Sequence, residues 1–154
     1  MAPHDSAFHP ALADTWHDPT GGLLAAAGDV AREHVLIIGR DNHGLIDALA
    51  CRGAAEVVLL GPRARPEPES VDLVLVCEVG SLDYAHRAIA LARHALAGTG
   101  RIALRITPDA GDDAAPGVCR ILRDSGFCSI DARHRPDGTI ACAELPLFGS
   151  PHPT

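Results

Sequence analysis

Two apolar runs in this chain end on residues able to hold a ligand or move a proton. HVLII (34–38) leads into Gly39, Arg40, Asp41, Asn42, His43 and Gly44, and DLVLVC (72–77) ends in Cys77 and passes to Glu78. Carboxylates accept protons, imidazole titrates near neutral pH, and a thiolate is both a nucleophile and a soft metal ligand. Asp41, His43, Cys77 and Glu78 carry N, S and O donors of the kinds zinc accepts. Cys77 with His43 as base has the outline of a nucleophile, and the first turn of the helix that follows offers outward N–H groups to an anion, opposed by Asp41. Each has a plainer reading. Asp41 or Asn42 suits a helix N-cap, Cys77 suits a small buried thiol closing an apolar strand, and Glu78 suits a solvated loop. No orienting third group or oxyanion device accompanies Cys77, so the expectation is no metal and no assignable catalytic residue.

The elements that must position these residues follow from periodicity. A helical pattern over about 20–33 precedes the strand HVLII, whose continuous apolar run fits a sheet covered on both faces. A helix over about 43–52 stops at Gly53. The strand EVVLL (56–60) follows, and then GPRARPEPES, where Pro62, Pro66 and Pro68 exclude a regular helix. In that loop Arg63 and Arg65 are offset by Glu67 and Glu69. The strand at 72–77, a helix over 83–97, a turn at Gly98-Thr99-Gly100 and the strand RIALRI (101–106) make a further βαβ unit. A helix over 117–125 and two strands, 128–134 and 139–145, close the pattern. The expected fold is an α/β, Rossmann-like open sheet of about six strands, mostly parallel, with an antiparallel C-terminal hairpin strand. It spans residues 20–146, between a polar N-terminal segment (1–19) and a tail (147–154).

Composition narrows the functions. The 154 residues make about one domain. Thirteen basic against twenty acidic side chains leave a formal charge of −7, which disfavours a phosphate backbone as partner. No apolar run approaches the roughly 18 residues of a membrane span, and the N-terminus lacks a cationic start with an apolar stretch. The expectation is a cytoplasmic protein with no nucleic-acid or membrane partner. His4, His9 and His17 lie near Asp5, Asp14 and Asp18 without a compact ligand spacing, so this segment reads as disordered or as a strap, with Phe8 and Trp16 as its anchoring apolar groups. Five cysteines, none in C-x-x-C spacing, read as small apolar side chains. A hairpin turn at Asp137-Gly138 sets Cys142 opposite Asp131 or Arg133, which leaves no disulfide to Cys128.

From Asp72 onward, DLVLVCEVGSLDYAHRAIALARHALAGTGRIALRI resembles the central strand, helix and next strand of class I S-adenosylmethionine-dependent methyltransferases, and HVLIIG resembles their first strand. The resemblance spans roughly 22–145. It implies S-adenosylmethionine as cofactor, with Gly39, Asp41, Asn42, Gly44, Cys77 and Glu78 at the cofactor positions. The departures are specific. Ile37 stands where the family has an acidic residue before its glycine-rich loop, Asp41 and His43 replace later glycines, and Gly61 replaces the acid that holds the ribose hydroxyls.

The family's next helix, strand and helix are also missing here, replaced by residues 61–71. Eleven extended residues reach about 36 Å, enough to recross two strand spacings of about 5 Å each. Without those segments Val57, Val58, Leu59 and Leu60 form a bare apolar edge, which a second copy related by two-fold symmetry would cover most simply, the Pro-rich loop folded back over it being the alternative. The resemblance with its departures implies a domain with a decayed cofactor site, a binding or assembly module with no cofactor expected. Its rival is an active small-molecule methyltransferase in which Asp41, Asn42 and Glu78 replace the lost contacts.

Overall fold

The structure, a computed structural model, describes residues 22–40 and 44–146. In chain order it comprises α1 (Leu23–Ala27), β1 (His34–Ile38), α2 (Leu45–Cys51), β2 (Glu56–Leu60), β3 (Val71–Val79), α3 (Leu82–Ala95), β4 (Leu96–Ile106), a 3-10 turn (Pro108–Ala110), α4 (Ala114–Asp124), β5 (Cys128–Arg135) and β6 (Gly138–Glu144). One six-stranded sheet runs β2-β1-β3-β4-β6-β5. The first four strands are parallel, while β6 is antiparallel to both of its neighbours. This is the expected Rossmann-like α/β architecture. No described helix is long and apolar enough to cross a membrane.

Alternation along the central strand divides the core. Leu73 and Leu75 pack beneath α1 and α2 with Val35, Ile37 and Leu49. Val74 and Val76 pack beneath α3 and α4 with Leu36, Ile89, Leu104 and Leu122. A strand buried on both faces needs apolar residues at every position, which is why β1 and β3 are unbroken apolar runs.

Four boundaries differ from the sequence expectation. The first helix is five residues long, not the fourteen of 20–33, because Gly28 (φ 70°) and Arg32 (φ 66°) turn the chain. Val30 is buried all the same, delivered by that turn. Gly44, in the left-handed region at φ 76°, is the N-cap of α2, so neither Asp41 nor Asn42 takes that place. The Gly98-Thr99-Gly100 segment is an irregularity within β4, where the register slips between Val71↔Leu96 and Leu73↔Arg101. Finally, α4 begins three residues early, at Ala114, and Pro116 falls in its first turn where a missing N–H costs nothing.

Arg101 fastens the shortened first helix to the sheet. Its guanidinium donates to the carbonyl oxygens of Ala27 (2.6 Å) and Asp29 (3.1 Å) and lies 2.8 Å from a Glu33 carboxylate oxygen. Hydrogen bonds to a charged group are the stronger kind, so Arg101→Ala is expected to lower unfolding stability by about 2 kcal/mol. Denaturant melts of the two proteins measure this.

Candidate functional site

Strand order reverses between β1 and β3, and in open α/β sheets the ligand crevice lies at the carboxyl ends beside that reversal. Gly39 ends β1 there at φ 113°, a conformation side chains rarely adopt. A Cβ on Gly39 would stand 3.2 Å from Cys77 Cβ and 3.7 Å from the Tyr84 hydroxyl, so β1, β3 and α3 meet closely at this point. Cys77 is buried and Glu78 exposed. The β3–β4 register slips between Val76 and Val79, which sets Cys77 and Glu78 together opposite Arg105. Gly44 is exposed, with nothing within 4 Å of where its Cβ would be. Thus Gly39, Cys77 and Glu78 gather at the crevice, while Asp41, Asn42 and His43, like His4, His9 and His17, lie outside the described residues.

Beside the crevice a cleft of about 830 Å³ opens between α3 and the 61–70 bridge. Its walls are Gly39 and Leu60 at the strand ends, Pro62 and Ala64 of the bridge, and Tyr84, Ala88 and Leu91 of α3. The bridge runs down the helix to its far end, where Glu69 N–H donates to His94 O (3.1 Å) and Ser70 N–H to Ala95 O (2.8 Å). The recrossing expected of residues 61–71 is therefore realised, from β2 past β1 to β3. The charged side chains lining this cleft among the described residues are Arg40 and Arg87, with no carboxylate.

Tyr84 was not singled out from the sequence, nor were Arg87 and Arg105. Burial, more than the neighbouring Cys77 and Glu78, raises the Tyr84 phenol above its ordinary 10.0, although Arg87, 5.8 Å from the ring centre, opposes the shift. Because the folded-state value is the higher one, this contribution to stability is complete below pH 10 and is lost as pH climbs through the raised value. Tyr84 is the sole tyrosine. Its phenolate absorbance is expected to appear with a midpoint above 10 in the native protein and to return to 10 in denaturant; equal midpoints would refute the burial.

None of the five cysteines forms a disulfide, and Cys142 stands opposite Asp131 in the hairpin register. Burial first, and then Asp131, push the Cys142 thiol up. No group of three or more His, Cys, Asp or Glu among the described residues is placed to hold a metal ion.

No family profile and no curated protein matches this sequence. Solved structures do match. A ribosomal protein L11 methylase from Lactobacillus delbrueckii subsp. bulgaricus superposes with a TM-score of 0.64 at 13% identity, over 83% of this chain and 77% of its own. An S-adenosylmethionine-dependent methyltransferase from Mesorhizobium loti gives 0.63 at 13% identity, over 82% and 99%. The fold is class I methyltransferase-like. A third structure, the 1,6-didemethyltoxoflavin-N1-methyltransferase of Burkholderia thailandensis with S-adenosylhomocysteine bound, gives 0.60 at 15% identity over 94% and 91%.

Within this methyltransferase-like fold, two positions at which the resemblance expects an acid carry other residues. Ile37, at the expected acidic position, is fully buried among the residues under α1 and α2. Gly61, at the expected ribose-binding position, is exposed, and a Cβ there would meet only Ala64 at 3.8 Å, so an acid has room but is not present. The methyltransferase-like sheet also ends on β2, which pairs only with β1 among the described residues and leaves Val58 41% and Leu59 43% exposed.

Proposed function

We propose that this chain is a binding and assembly module built on a methyltransferase-like fold, working in the cytoplasm, and not a methyl-transfer catalyst. The observation that carries this reading is the charge of the cleft at the ends of β1 and β2, where, among the described residues, Arg40 and Arg87 stand without a carboxylate. S-Adenosylmethionine presents a sulfonium, an ammonium and a ribose diol; like charges in a partly enclosed cleft repel, and the diol has no charged acceptor there. The assembly half of the reading rests on β2. An exposed strand edge bearing Val58 and Leu59 is a template for another strand, and a second copy of this chain is the simplest partner.

One observation favours a second reading, an active small-molecule methyltransferase. Gly39 keeps the close backbone approach, with Glu78 beside it and Asp41 and Asn42 next in the chain to replace the lost contacts. Thermal melts with S-adenosylmethionine and S-adenosylhomocysteine separate the two, since any ligand bound only by the folded state raises the melting temperature. Unchanged melting is expected; a rise that saturates with either compound would favour the enzyme.

A further inference from the structure

Helical spacing sets the face of α3 that looks onto the bridge. Tyr84, Arg87, Ala88 and Leu91 stand at i, i+3, i+4 and i+7, and all four line the cleft of about 830 Å³. The bridge meets that stripe through Pro62 and Ala64, and Leu60 and Leu91 stay half-buried. The two cations of this cleft are not spent elsewhere. Ion pairs among the described residues are made by His34, Arg101, Arg133 and Arg135, and Arg40 and Arg87 take part in none. Arg87 packs against the Tyr84 ring, 5.8 Å from its centre. The Tyr84 hydroxyl, beside Gly39 at the end of β1, has no hydrogen-bond partner among the described residues. Glu78, exposed near the end of β3, is the weakest of the influences on that phenol and is not in the cleft wall. Both arginines are exposed while Ala88 is buried, so the charge sits at the mouth and the apolar wall behind it.

We propose that this cleft binds an amphipathic organic anion, its carboxylate or phosphate head on Arg40 and Arg87 with the Tyr84 hydroxyl as a further donor, and its apolar body on Leu60, Ala64 and Leu91. The planar guanidinium fork matches the oxygens of either head, and an unpaired guanidinium gives up no internal partner to take one. The volume falls in the range of small-molecule sites and leaves room for a body behind the head. The inference rests on the reading above that the cleft does not serve a cationic cofactor, since the charge that repels a sulfonium is the charge that draws an acid.

Titration calorimetry on the full chain tests it, with octanoate and octyl phosphate as probes and octylammonium as the match of opposite charge. At least one octyl anion is expected to bind saturably, the tighter of the two identifying the head, and octylammonium to bind about tenfold more weakly or worse. Arg40→Gln and Arg87→Gln, both at exposed positions, are each expected to weaken the anion by about the same factor. Arg133→Gln removes an equal charge from the distant hairpin strand β5 and is expected to leave the affinity unchanged. If neither octyl anion saturates, if octylammonium binds as well, or if Arg133→Gln costs as much as Arg87→Gln, the proposal is overturned. S-Adenosylhomocysteine titrated in parallel separates the two failures. Its saturable binding would strike the underlying reading, whereas octyl anions that fail while it also stays unbound strike this inference alone.

Discussion

Gly138→Ala will destabilise the protein by about 3 kcal/mol, since a strained backbone and an immovable clash coincide there. Gly138 opens β6 at φ 141°, and the added Cβ would be driven into the carbonyl oxygen of Ile106. That oxygen belongs to β4, whose Ile106 pairs with the adjacent Thr139, so neither strand moves without loss of ladder hydrogen bonds. The same glycine ends the turn carrying Arg135 and Asp137. Chemical denaturation is the measurement; a loss under about 1 kcal/mol would mean that the turn yields more easily than its contacts imply.

Leu59→Glu will convert an assembled form to a single chain. Leu59 and Val58 point to opposite faces of β2 and are both about two-fifths exposed in one copy. In a two-fold pair each substitution occurs twice, so two carboxylates replace apolar side chains beside the joined edge, which disfavours the pair. Sedimentation equilibrium is expected to give a two-chain mass for the natural sequence and a one-chain mass for the variant, with unchanged secondary structure. A natural protein that stays single at high concentration contradicts assembly through this edge.

The sheet was legible because burial on two faces leaves its mark in contiguous apolar runs: β1 and β2 fall on the expected residues, and β3 extends the expected run at both ends. The closing hairpin was equally readable, down to Cys142 opposite Asp131, since a short turn sets its own register. Helix 20–33 was not. Val30 and Ala31 continue the helical spacing, yet Gly28 breaks the helix and Arg101 from a distant strand captures the freed carbonyls, an arrangement no local window contains. The crevice was half legible. Topology alone brings Gly39, Cys77 and Glu78 together, but the cleft beside them is lined by Tyr84 and Arg87, which project from α3 because the bridge leaves that helix uncovered.

We propose that a methyltransferase-like fold has here lost the charge pattern its cofactor needs. Direct calorimetric titration of the purified chain with S-adenosylhomocysteine tests it without any assumption about the acceptor. A flat trace is expected at every concentration reached. A saturable heat with micromolar affinity would contradict it and return the crevice to a working cofactor site.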